Sequence, residues 1–168
     1  MAHIKTKRDR VKFASDNVTG ACPEVLDAIL KANDGDRTPY GNDEISKSLQ
    51  DKFSEIFEKE VIVFPTSSGT AANALALSTM TPSFGNIYCH KLSHINVDEC
   101  GAPEFYTGGA KLVTLKGDDG KITAEELNKS IHGKGIVHHT QPSSVSITQL
   151  CETGEAYKLD EIKKISEI

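Results

Sequence analysis

The strongest constraint on the fold lies in the stretch from Val61 to Met80. A short apolar run without alternation, Val61 to Phe64, enters Pro65-Thr66-Ser67-Ser68-Gly69-Thr70. A helix rich in small residues (Ala71, Ala72, Ala74, Ala76) leaves it and runs to Met80. An apolar run of this kind suits a strand covered on both faces, as in a parallel sheet. An alanine-rich helix can pack close on such a sheet. The turn between them leaves the first N–H groups of the helix unpaired at the positive end of its dipole. Gly69 allows close backbone approach, and the Ser and Thr hydroxyls add donors, so the turn can hold an anion. Neither Walker A nor Rossmann glycine spacing is present. By itself the stretch reads equally well as a strand, a turn and a capped helix with no ligand.

The same alternation continues along the chain. Pro23 opens a helix with Val25, Leu26, Ile29 and Leu30 on one face. Asn42 or Asp43 caps a second helix carrying Ile45, Leu49, Phe53 and Ile56/Phe57. Strands are expected at Asn86 to His90, Lys111 to Leu115 and Gly135 to Thr140, with another extended piece from Ser144 to Leu150. Ser93 is expected to cap a helix reaching about Gly101. Thr123-x-x-Glu126 forms a capping box ahead of Leu127 and Ile131, and Leu159 to Ile168 is an amphipathic helix. This order predicts an α/β fold of three layers, a mostly parallel sheet with helices on both faces. Residues 1–10 form a polar tail, and residues 11–168 are expected to be one domain or a large part of one.

Composition narrows the function. The 168 residues carry a net charge of −5, with no basic stripe, which argues against nucleic acid as a partner. No apolar run is long enough to span a membrane and no signal peptide is visible, so a cytoplasmic location is expected. The four cysteines form no CxxC pair, and Cys89, His90, His94 and Cys100 match no standard zinc spacing, so no metal is expected. The adjacent His138 and His139 face opposite ways if they lie on a strand, which makes a ligand pair improbable there.

Several stretches together carry a resemblance. Phe13-Ala14-Ser15-Asp16-Asn17-Val18-Thr19, Pro39-Tyr40-Gly41-Asn42-Asp43, Ser68-Gly69-Thr70-Ala71-Ala72-Asn73, Ser93-His94-Ile95 with Asp98-Glu99-Cys100-Gly101-Ala102, and Gly108-Gly109-Ala110-Lys111-Leu112 occur in one order. With Thr148-Gln149 through Asp160-Glu161-Ile162, they resemble the low-specificity threonine aldolases from about Val11 onward. The resemblance implies a fold-type I enzyme dependent on pyridoxal 5′-phosphate (PLP). Such an enzyme cleaves a β-hydroxy amino acid, L-threonine or L-allo-threonine, to glycine and an aldehyde. The alternatives are a related β-eliminating lyase, or a non-catalytic phosphate-binding or assembly fragment.

The resemblance also assigns roles. Ser68, Gly69 and Thr70 would hold the PLP phosphate. His94 would stack on the cofactor ring and lie near the substrate hydroxyl, where a neutral imidazole can accept its proton. Gln149 would sit beside the cofactor. Ser15 would contact the substrate carboxylate, with Tyr40 and Glu99 near the substrate, Tyr40 in its own site or a partner subunit's. The lysine that binds PLP covalently, and the Asp-Gly-Ala-Arg stretch that supplies an acid and an arginine, come later in that family and have no counterpart here. The pattern from Leu159 to Ile168 has no C-cap. The chain therefore reads as the first half of such an enzyme: a fragment, one half of a split enzyme, or a short gene product. It would require the remaining half or a second chain, and the complete enzyme would be a homodimer or homotetramer.

Overall fold

The computed structural model of the protein describes Ser15 and residues 18–168. The tail at 1–10, the extended entry from Val11 and most of the 13–19 signature lie outside the described residues. The chain divides into two compact units, residues 1–63 and 64–168.

In the first unit, α1 spans Pro23–Ala32 with proline in its first turn, as the sequence predicts. Helix α2 spans Glu44–Phe57, and Asp43 is the cap: its carboxylate accepts from the Ser46 amide at 2.9 Å. Neither helix buries a residue, and the predicted apolar face of α1 stays exposed from Val25 to Leu30. The run from Val61 to Phe64 is extended but is not a strand. The Val61 amide donates to Ser54 Oγ and the Val63 amide to Gln50 Oε1, while Gln50 Nε2 donates to the Val63 carbonyl. A strand requires a neighbouring backbone, and here side chains of α2 take that place.

The second unit contains the sheet. Helix α3 spans Gly69–Met80, β1 Gly85–His90, α4 His94–Val97, α5 Ala102–Tyr106 and β2 Lys111–Leu115. They are followed by α6 at Ala124–Ser130, β3 at Gln141–Val145 and α7 at Leu159–Ser166. The strands lie in the order β2-β1-β3, all parallel. Asn86 is opposite Lys111 and His90 opposite Leu115, while Tyr88 is opposite Val145.

Strand β1 is buried along its whole length because helices cover both of its faces. Its side chains alternate between them. Ile87 and Cys89 join Leu77 of α3, Ile95 and Ala110 in one core. Tyr88 joins Leu115, Ile122, Leu127, Cys151, Tyr157 and Ile165 in the other, against α6 and α7. This is the predicted three-layer arrangement. Gly85 begins β1 where no larger residue fits: a Cβ there would come within 2.6 Å of Ser143 Oγ and 2.7 Å of Thr81 Cγ2.

Two predicted elements differ. The expected helix from Ser93 to about Gly101 ends at Val97, and a second short helix starts only at Ala102; between them Cys100 and Gly101 take positive φ, 52° and 73°. Asp98 caps the end of the first, and the left-handed Gly101 is the N-cap of the second. The expected strand at Gly135 to Thr140 is a series of turns, and the pairing residues are Gln141 to Val145. The Gln141 amide holds these turns together. Its Oε1 accepts from the Gly135 amide, and its Nε2 donates to the carbonyls of Gly133, Ile136 and His139. His138 and His139 are exposed in these turns rather than on a strand.

Candidate functional site

The site is built where β1 ends. After His90 the chain turns through Lys91 to Ser93 and places His94 at the start of α4, at the carboxyl edge of the central strand. In open parallel sheets that edge is where ligands bind. His90 itself is buried and fully engaged: its Nδ1 accepts from the Leu92 amide at 3.1 Å, and its Nε2 is 3.2 Å from the Gly117 carbonyl oxygen. It shapes the turn and leaves His94 as the ring open to solvent.

His94 is held from below. Its Nδ1 lies 2.9 Å from Glu99 Oε1, with the His94 side chain 46% exposed and the Glu99 side chain completely buried. The carboxylate raises the imidazole pKa above its ordinary 6.5, chiefly through this hydrogen bond, partly offset by desolvation. The charges of Glu152 and Asp98 act in the same direction. Among the described residues His94 Nε2 has no hydrogen-bond partner.

The same Glu99 Oε1 accepts from Asn73 Nδ2 at 2.6 Å. Asn73 lies in the second turn of α3, so this bond brings the start of α3 to the carboxyl-edge segment that carries His94. Glu99 Oε2 is buried and has no hydrogen-bond partner among the described residues. Sequence reasoning did not assign Asn73 a role. The available signal was a polar amide inside an otherwise apolar, small-residue helix, where asparagine has poor propensity.

At the start of α3, Ser68 is the N-cap, and its hydroxyl oxygen accepts from the Ala71 amide at 3.1 Å. The hydroxyl hydrogen is left for a ligand. The amides of Gly69 and Thr70 and the Thr70 hydroxyl have no partner among the described residues. A Cβ built on Gly69 would meet nothing within 4 Å. The open turn and the unpaired donors fit a bound anionic group such as a phosphate.

The other candidates are placed differently. The Gln149 side chain is bonded at both ends to one backbone residue: its Oε1 accepts from the Tyr157 amide at 2.8 Å and its Nε2 donates to the Tyr157 carbonyl at 2.9 Å. This fixes the loop ahead of α7. Ser15 and Tyr40 lie in the first unit. Tyr40 is 97% exposed and carries a φ of 61°, a backbone conformation that non-glycine residues rarely adopt outside functional or tightly turned segments. No helix among the described residues is long and apolar enough to cross a membrane.

The family model described as beta-eliminating lyase matches residues 12–168. The chain is 41% identical over 155 residues to a low specificity L-threonine aldolase of Pseudomonas sp. (strain NCIMB 10558), covering 92% of this chain and 45% of the relative. It is 39% identical to the Pseudomonas aeruginosa protein of the same name, with the same coverage. A solved threonine aldolase structure from Leishmania major superimposes with a TM-score of 0.82 at 28% identity, over 89% of this chain and 44% of that one. The α/β fold is therefore that of a fold-type I PLP enzyme, shown over part of its length. The chain spans less than half the length of the curated relatives it matches.

Proposed function

Because this chain belongs to the beta-eliminating lyase family, we propose that it is part of a PLP-dependent lyase that cleaves a β-hydroxy amino acid, L-threonine or L-allo-threonine, to glycine and an aldehyde. The observation that carries this reading is His94: an exposed imidazole at the carboxyl edge of β1, held at Nδ1 by a buried carboxylate. The names of the two Pseudomonas relatives support the same reaction.

PLP, when bound, serves as the electron sink for breaking the Cα–Cβ bond. The chain's own residues hold and orient. The Gly69 and Thr70 amides and the Ser68 and Thr70 hydroxyls supply donors for the phosphate, at the positive end of the α3 dipole. Glu99 keeps the proton on His94 Nδ1, and Nε2 is then the ring atom that accepts the proton of the substrate hydroxyl. Ser15, Tyr40 and Gln149 belong to the proposal as substrate and cofactor neighbours. For Gln149 the support is positional, since its amide is committed to Tyr157. The lysine that anchors PLP and the arginine that meets the substrate carboxylate would come from sequence outside these residues. The substrate is a small amino acid, and a homodimer or homotetramer accords with the family.

The test is product analysis with the complete enzyme. Glycine and acetaldehyde released from L-threonine are the expected products. Pyruvate and ammonia instead would establish β-elimination, the second reading, which the family description favours. Because proton acceptance requires the neutral ring, cleavage should rise with pH through the raised pKa of His94. Glu99→Gln should move that rise to lower pH.

A further inference from the structure

Asn73 is the member of the site that the proposed chemistry does not use. Among the described residues its side chain hydrogen-bonds neither to the phosphate donors nor to the imidazole. Its amide meets the one oxygen that also meets His94: Nδ2 is 2.6 Å from Glu99 Oε1, and His94 Nδ1 is 2.9 Å from the same atom. Two nitrogens converge on a single buried oxygen, while Oε2 of the same carboxyl has no partner among the described residues.

We propose that Asn73 is a positioning residue that sets the tautomer of His94 through Glu99. An ionised carboxylate can only accept, so each of its neighbours must present an N–H. The asparagine amide always has one. The imidazole has one at Nδ1 in only one of its two neutral forms, and this is the less favoured form in free histidine. A carboxylic acid could instead donate to Nδ1 and leave the proton on Nε2, reversing the roles of the two ring atoms. Because the Asn73 N–H points at Oε1, that oxygen accepts and cannot itself carry the proton facing Nδ1, so the imidazole must present its own N–H there. Asn73 thereby holds Nε2 as the acceptor. Its place in the second turn of α3 adds a consequence. The helix whose first turn would hold the phosphate also fixes the orientation of the imidazole, so the two ends of the bound cofactor would be registered by one rigid element. The functional significance rests on the reading of His94 as a proton acceptor, but the tautomer assignment does not.

The experiment uses the complete enzyme with 15N-labelled histidine, free of cofactor and substrate. The unaltered protein should show neutral His94 protonated at Nδ1 alone. Asn73→Leu, of similar size and better helix propensity, should show a mixture of the two tautomers. With PLP and L-threonine it should lower kcat about tenfold or more, within the hundredfold or more that a positioned proton acceptor contributes, with KM little changed. A ring that keeps a single Nδ1–H tautomer in Asn73→Leu overturns the proposal. If that variant fails to fold, Asn73→Asp gives the second reading. A carboxylate facing Glu99 should keep His94 charged to higher pH, and an unchanged titration would also overturn it. Failure of the unaltered enzyme to cleave threonine would count against the proposed reaction while leaving the spectroscopic result to decide the role of Asn73.

Discussion

Glu99 shows why one buried oxygen matters more than its neighbours' exposure would suggest. A carboxylate taken fully out of water is costly unless donors meet it, and here Asn73 and His94 supply two. The pairing makes stability depend on pH in a definite direction. The folded-state pKa of His94 is raised, so its contribution is fully present below about pH 6.5, the ordinary value, and is lost as pH climbs through the raised value. Thermal melts of the protein and of His94→Ala should therefore differ most below that pH and converge above it. A gap that widens with rising pH would contradict the pairing.

At the scale of elements, α7 is tied to the loop after β2 by specific polar contacts as well as by packing. Lys121 Nζ lies 3.0 Å from both carboxylate oxygens of Glu161, and also over the Tyr157 ring at 5.5 Å. The buried Ile122 amide donates to the Tyr157 hydroxyl oxygen at 2.8 Å. That hydroxyl is the partner of a backbone group with no access to water. Tyr157→Phe should cost about 1–3 kcal/mol in chemical denaturation, the typical penalty for an unsatisfied buried donor. A loss below a few tenths of a kcal/mol would show that water or a shifted carbonyl takes the hydroxyl's place.

For the molecule as a whole, burial is uneven. The second unit encloses two cores on either side of β1, whereas α1 and α2 bury nothing. Amides protected only by local helix bonds open at low free energy, and those in a covered central strand approach the global value. Hydrogen exchange of this chain should be slowest in Ile87, Tyr88 and Cys89 and faster by orders of magnitude across Pro23–Ala32. Equal protection in both would mean that the apolar face of α1 is covered in solution.

Local patterns in the sequence determined much of this protein. Proline, acidic and threonine caps placed α1, α2 and α6, because capping is satisfied within a few residues. The order of the Ser68 turn and His94 marked the candidate site, although of the two only the His94 turn follows a strand of the sheet in the structure. Tertiary structure decided the rest. Val61 to Phe64 has strand composition, but pairing needs a second backbone, which composition does not report. Ile136 and Val137 look equally strand-like, yet the Gln141 amide gathers the carbonyls of Gly133, Ile136 and His139 into turns. The bond from Asn73 to Glu99 joins residues 26 positions apart. No local spacing encodes it, because it exists only where α3, packed on the sheet, meets the chain leaving β1.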